Sequence, residues 1–176
     1  SNFTEASRFD LVAGYVGQTA IKTAELIART RPGVLFIDEA YALTPRHDSD
    51  FGAEAIAALV KAMEDYRNDF AVIVAGYGDE MTHFVGSNPG LLSRLKTYVD
   101  FPNYSSGELT QIFERFAKES GIGCKEGVLE TVEAVFKKHL EKPDFGNARF
   151  ARSLFEEAYA RMSLRASADG KVDVSE

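Results

Sequence analysis

The chain has 176 residues, 45% hydrophobic and 27% charged, a composition that suits one globular core or a larger and a smaller one. With 27 acidic residues against 20 basic ones, the formal net charge of -7 speaks against a general nucleic-acid or anionic-membrane surface, although a local basic patch is compatible with it. The single cysteine, Cys124, excludes an internal disulfide framework and fits a reducing compartment, and every fully apolar run is far too short for a membrane span.

Residues 3–12 mix a few apolar positions with Glu5, Arg8 and Asp10, which reads as a short strand followed by a loop. Gly14-Tyr15-Val16-Gly17 places an aromatic-aliphatic pair between two glycines, the composition of a mobile or tightly turned loop. Gln18 or Thr19 opens a helix with Ala20, Ile21, Ala24, Ile27 and Ala28 on its expected apolar face. Pro32-Gly33 ends it. Val34 to Ile37 then run without polar alternation into Asp38 and Glu39, which predicts a strand buried on both faces with two carboxylates at its carboxyl end.

Residues 44–51 are polar and turn-rich, and Ile56, Leu59, Val60 and Met63 mark one face of the next helix. Phe70 to Gly76 reads as a second buried strand, so a βαβ unit and a parallel sheet are expected. A short helix over residues 79–85 follows, then Asn88-Pro89 as an N-cap with proline at the first helical position. Residues 97–101 carry the β-branched and aromatic residues of a third strand, stopped by Pro102. Beyond Tyr104 only helices are expected. Ser105-Ser106-Gly107-Glu108 has capping-box spacing. Leu109, Ile112, Phe113 and Phe116 form one buried stripe, and Leu129, Val132, Val135 and Phe136 a second. The third runs from Phe150 and Ala151 through Leu154, Phe155 and Ala158 to Met162, and the tail after Ala166 is expected to fray. An α/β domain over residues 1–103 and a helical domain over residues 104–176 result.

In open α/β sheets ligands bind outside the carboxyl ends of the strands. An acidic pair there can hold a hydrated magnesium ion and polarise the water that attacks a phosphate. Asp38 as a helix cap is the competing reading. His47, His83 and His139 are scattered, with no zinc-ligand spacing toward Cys124, and nothing suggests covalent catalysis.

Taken together, Tyr15-Val16-Gly17-Gln18-Thr19-Ala20, Leu35-Phe36-Ile37-Asp38-Glu39-Ala40-Tyr41, Val74-Ala75-Gly76-Tyr77, Ser87-Asn88-Pro89-Gly90-Leu91 with Ser93-Arg94, and Phe145-Gly146-Asn147-Ala148-Arg149 resemble the AAA+ ATPases. The resemblance is to the branch holding red-type Rubisco activases, type VII secretion ATPases and the stage V sporulation protein K group. It implies a P-loop NTPase sheet followed by a small helical lid, with ATP and Mg2+ as cofactors. It also implies roles. Asp38 matches the magnesium-associated Walker B aspartate and Glu39 the water-polarising glutamate. Arg94 matches an arginine finger reaching a neighbouring subunit's nucleotide, or else is a surface arginine at a helix end. Arg149 matches the sensor arginine of the lid and is preferred to Arg152. Tyr77 stands near the place of a polar phosphate sensor, with packing beneath the site as its alternative. Tyr15, Val16 and Gly17 match a pore loop that grips polypeptide, unless the aromatic anchors the loop to its own subunit. Residues 45–51 are a weaker candidate for a second pore loop.

The resemblance therefore implies a hexameric remodeller of a polypeptide client, with neither membrane nor nucleic acid expected as partner, and the cysteine usage makes a cytoplasmic location the default expectation. Alternatives are a non-catalytic assembly module and a nucleic-acid AAA+ protein. The 176 residues contain no G-x-x-x-x-G-K-[ST] phosphate loop. The expectation is accordingly a fragment of an ATPase, inactive alone, whose sheet lacks a central strand.

Overall fold

The computed structural model describes residues 2–15, 17–45, 50–125, 127–142 and 145–168. Val16, His47, the centre of the weaker pore-loop candidate at 46–49, and the tail beyond 168 lie outside them. The chain divides into two compact units, Ser1–Val99 and Asp100–Glu176.

The first unit is built on three parallel strands in the order β1 (Asn2–Ala6), β2 (Gly33–Ile37), β3 (Phe70–Val74). Their registers align Ala6 with Ile37 and Ile37 with Val74, so all three strands end level. Crossovers between parallel strands need a helix's length of chain. Here α1 (Arg8–Leu11) and α2 (Gln18–Thr30) join β1 to β2, and a 3-10 turn (Ala40–Leu43) and α3 (Gly52–Asp65) join β2 to β3. Two short helices follow, α4 (Gly78–Gly86) and α5 (Pro89–Arg94). Asn88 caps α5 as its sequence foretells, its side-chain oxygen accepting from the Gly90 and Leu91 amides.

One sheet face carries the core. Ala6, Leu35, Ile37 and Phe70 pack with Leu26 and Ile27 of α2 and with Ile56 and Leu59 of α3. Chain entry into β2 depends on Gly33, since a Cβ there would lie 2.1 Å from the Asn2 carbonyl oxygen. Arg31 secures the same junction and ties it to the chain entering β3. Its guanidinium binds Asp69 through Nε at 3.2 Å and Nη2 at 2.8 Å, and lies 3.4 Å above the Tyr66 ring.

Five expectations change, the first being that Arg8–Leu11, read as part of a loop, form helix α1. Val34 and Phe36 are only partly buried, so β2 is covered on one face; Phe3, stacked on Phe36 at 6.1 Å, and Ile73 are exposed on the other. Helix α2 turns Thr19, Thr23 and Thr30 inward beside Leu26 and Ile27, while Ile21 is exposed. Backbone partners make this possible: the Thr23 hydroxyl donates to the Leu11 carbonyl, the Thr30 hydroxyl donates to that of Leu26, and Thr19 Oγ1 accepts from the Ala13 amide. Ala20, Ala24 and Ala28 face an open groove of about 660 Å³ beside Ala57, Ala58 and Ala62 of α3. Residues 97–101 form no strand, and Tyr98, Val99 and Phe101 are exposed. Strand propensity there has no ladder partner among the described residues, and without one it does not hold an extended chain in a sheet. Finally, Ala158 and Met162 are exposed.

The second unit is three helices, α6 (Ser106–Glu119), α7 (Val128–His139) and α8 (Ala148–Ala168). Leu109, Phe113, Val132, Phe136 and Ala151 form its buried centre, with Phe150 and Phe155 packed against it. The capping box at α6 is complete: the Ser105 amide and hydroxyl both donate to Glu108 Oε2 at 2.8 Å, and the Glu108 amide donates to Ser105 Oγ at 3.3 Å.

Those donors hold the Glu108 carboxyl below the ordinary glutamate value. Its contribution to stability is therefore fully present above the unfolded pKa and is lost as pH falls through the lower folded one. In urea or thermal melts, Ser105→Ala should lower the stability of the helical unit by about 1 kcal/mol at neutral pH. Glu108→Gln should also flatten the acid limb of its stability profile. An acid limb identical in the variant and the parent would refute that account of the cap.

Candidate functional site

The carboxyl ends of β2 and β3 form a compact cluster built chiefly by backbone. The ladder runs on beyond the strands: the Asp38 amide donates to the Ala6 carbonyl at 3.1 Å, the Ala75 amide to Ile37 at 2.9 Å, and the Ala40 amide to Ala75 at 3.0 Å. Between these clamps, Glu39 adopts the left-handed conformation, φ 48° and ψ 44°. Such a backbone is uncommon for a residue with a side chain and is found where surrounding structure over-determines it. Asp38 Oδ1 accepts from the Glu39 amide at 3.0 Å. The reversal leaves both carboxylates exposed at the sheet edge, while the adjoining Ala40 is buried.

No salt bridge within the described residues involves either carboxylate, nor do three or more potential metal-binding side chains gather there. Two carboxylates without an enclosing ligand cage suit magnesium, which keeps most of its water and takes its other oxygens from a bound phosphate. Arg8, which sequence reasoning did not single out, supports the segment from below. Its guanidinium donates to the Ala42 carbonyl at 2.6 Å and to Asp50 Oδ1 at 2.7 Å. Nothing in its local sequence context marks it, because its partners lie 34 and 42 residues away.

Tyr77 joins this cluster. It is the N-cap residue of α4, three positions beyond β3, largely exposed, with its ring 6.4 Å from that of Tyr41. Arg94 belongs to the same unit but turns to other partners. Its Nη2 binds Glu64 Oε2 at 2.9 Å, its Nη1 donates to Gly90 O and Ser93 Oγ, and its Nε is buried without a partner. Tyr15 is 74% exposed on the loop before α2, and Gly17 caps that helix with φ 76°. Lys22 ties down the loop's base by donating to the carbonyls of Phe9 and Val12. The groove between α2 and α3 is lined by none of Asp38, Glu39, Tyr77 or Arg94.

In the helical unit Arg149 is exposed at the start of α8, beside a hollow it shares with Phe116, Arg152 and Ser153. Arg152 lies 5.1 Å above the Phe116 ring. Arg149 has neither an ion pair nor a side-chain hydrogen bond with any described residue. The Asn147 backbone has φ 52°, and its side-chain amide donates to Asn103 Oδ1 at 2.8 Å, fixing the approach to α8.

Comparison with known proteins places these features in a family. The model of the ATPase family associated with various cellular activities (AAA) matches residues 1–103, and that of the AAA lid domain matches residues 105–176. The chain is 43% identical over 160 residues to the protein CfxQ homolog of Galdieria sulphuraria, covering 90% of this chain and 52% of that protein. It is 42% identical over 164 residues to stage V sporulation protein K of Bacillus subtilis, covering 92% and 51%. With the chloroplastic ribulose bisphosphate carboxylase/oxygenase activase of Cyanidioschyzon merolae it shares 41% identity over 161 residues, covering 91% and 52%. The chain spans about half the length of these curated relatives. With the AAA model matching residues 1–103 and the AAA lid model matching the helices that follow, the chain belongs to the AAA ATPase family.

Proposed function

We propose that this chain supplies the acidic pair, the arginines and the lid of a magnesium-dependent ATPase that assembles as a cytoplasmic hexamer and pulls a polypeptide through its central pore. The observation that carries this reading is Glu39, exposed beside Asp38 in a left-handed turn clamped by backbone bonds from both neighbouring strands. Backbone strain held at a sheet's carboxyl edge serves ligand chemistry better than capping. Asp38 would hold magnesium through water, and Glu39 would orient and polarise the attacking water. When bound, ATP supplies the phosphoryl group and magnesium neutralises charge on its oxygens.

Arg94 serves as the finger toward a neighbouring subunit's nucleotide, since a guanidinium stays charged and presents a fork of donors to phosphoryl oxygens. Its bond to Glu64 is half-exposed and so can be exchanged at modest cost. Arg149 is the lid's phosphate contact; its lack of a side-chain partner among the described residues, against Arg152 resting on Phe116, supports that choice. Tyr77 stands close enough to Glu39's neighbour Tyr41 to report on the site. Tyr15, with Val16 and Gly17, grips the client, for which an exposed aromatic on a short loop gives broad, sequence-tolerant contact. No helix among the described residues is long and apolar enough to cross a membrane, and the acidic net charge gives no support for nucleic acid as the partner.

In the full-length protein, Glu39→Gln should leave nucleotide affinity nearly unchanged and reduce kcat by about 100-fold or more, the scale of a lost general base; retained turnover would sink the reading. Tyr15→Ala should spare basal hydrolysis and abolish client remodelling, whereas equal loss of both would return Tyr15 to the role of a structural anchor. The 176 residues alone, lacking a glycine-lysine phosphate loop, should bind ATP weakly and turn none over. Isothermal titration showing tight, magnesium-dependent binding would contradict this.

A second reading, a non-catalytic assembly module, draws on the Arg94–Glu64 pair, which engages the finger within its own subunit.

A further inference from the structure

Asn147 stands directly before α8, two residues from Arg149, on a left-handed backbone with φ 52°. An asparagine in that place ordinarily caps its own helix. Here the amides it would have capped, those of Arg149 and Phe150, donate to the Gly146 carbonyl at 3.0 and 3.3 Å. The side chain turns instead to a distant part of the chain. Its Oδ1 accepts from the Tyr104 amide at 3.3 Å, and its Nδ2 donates to Asn103 Oδ1 at 2.8 Å. These partners lie 43 and 44 residues away, on the segment that leads into the α6 cap at Ser105.

The bridge leaves little choice of residue. A backbone amide can only donate, so Oδ1 has to face Tyr104 and Nδ2 has to face Asn103. Aspartate would lose the donor and glycine both contacts, while most other side chains are disfavoured at positive φ. The turn is also anchored from the helical side. The Ala151 amide donates to the Asn147 carbonyl at 3.2 Å, and the Phe150 ring packs against Phe136, His139 and Phe145. Arg149 lies between these two fixings. Its side chain has no partner among the described residues, so its reach is set by the backbone of the turn.

We propose that Asn147 is a positioning residue for Arg149. It ties the first turn of α8 to the chain entering the lid and so holds the guanidinium where a terminal phosphate can be met. Without the bridge the turn is free to shift against that chain, and phosphate binding has to offset the entropy of fixing it. A phosphate drawn to Arg149 then also restrains Asn103 and Tyr104, through the same two hydrogen bonds. The inference rests on the reading of Arg149 as the lid's phosphate contact, and its test separates the two.

Asn147→Gly accepts the left-handed backbone and deletes only the bridge; an unchanged circular-dichroism spectrum verifies the fold. In the full-length protein, calorimetric titration with a non-hydrolysable ATP analogue and with ADP gives the preference for the terminal phosphate. That preference should fall about five-fold in Asn147→Gly, the scale of one neutral hydrogen bond, with ADP affinity unchanged. Equal losses for both nucleotides would make Asn147 a structural part of the lid and overturn the role. Asn103→Ala leaves α8 untouched and should lower the preference too, whereas Asn103→Asp keeps the acceptor and should retain it. Equal effects of those two substitutions overturn the bridge. In an Arg149→Ala background, Asn147→Gly should change the preference by less than about two-fold, because residues acting through one another are non-additive. An equal cost in both backgrounds removes the positioning role while leaving Arg149 its phosphate. A preference untouched by Arg149→Ala alone removes the reading of Arg149 itself. Hydrogen exchange gives a readout independent of nucleotide: the Tyr104 amide should exchange faster in Asn147→Gly, and an unchanged rate overturns the bond.

Discussion

Three backbone hydrogen bonds past the formal ends of the strands fix the carboxyl edge of the sheet. Asp38 is tied to Ala6 on one side, Ala75 to Ile37 on the other, and Ala40 is drawn back to Ala75. A sheet normally releases its chain at the last ladder bond. Here the ladder keeps hold for three more residues, and Glu39 has to reverse between fixed points. The left-handed backbone at a charged residue follows from that constraint, as does the exposure of two adjacent carboxylates beside a fully buried alanine. A free loop bearing the same residues would place those carboxylates over many conformations, and binding would have to offset the entropy of fixing them.

The support beneath this turn comes from distant parts of the first unit. Arg8 reaches the carbonyl of Ala42 and the carboxylate of Asp50, joining the start of one crossover to the middle of the next. Arg31 does the equivalent work at the amino end of the sheet through Asp69 and Tyr66. Each is a guanidinium satisfying a backbone oxygen, a carboxylate or a ring at a junction between elements, where main-chain groups lack regular partners. The sheet's two faces contrast with this order. One carries the core, while Phe3 and Ile73 on the other are open to solvent. Parallel sheets are ordinarily covered on both sides, and the chain corresponds to about half the length of its curated relatives.

Local patterning made much of this legible. The run from Val34 to Ile37 and the run from Phe70 to Val74 are strands because both are short, continuous and bounded by glycine or a turn. Asn88 and Ser105 are caps because their oxygens meet amides two or three residues on, an encounter set by sequence spacing alone. Position of the acidic pair at a carboxyl edge followed from the same reading. The errors have a common physical origin. Thr19, Thr23 and Thr30 are inward because carbonyls and amides happen to meet their hydroxyls, which periodicity of apolar residues cannot register. Residues 97–101 have strand propensity without a strand to pair with, and propensity by itself supplies no ladder.

The sequence by itself determined most of the element types, the two-part organisation of an α/β segment followed by helices, and the family resemblance, because each rests on spacings of a few residues or on ordered motifs. Tertiary structure alone decided the left-handed turn at Glu39 and the partners of Arg8 and Arg94. Those depend on atoms brought together from 30 or more residues apart. Contacts of that kind are fixed by chain packing and have no period, cap or motif through which to announce themselves.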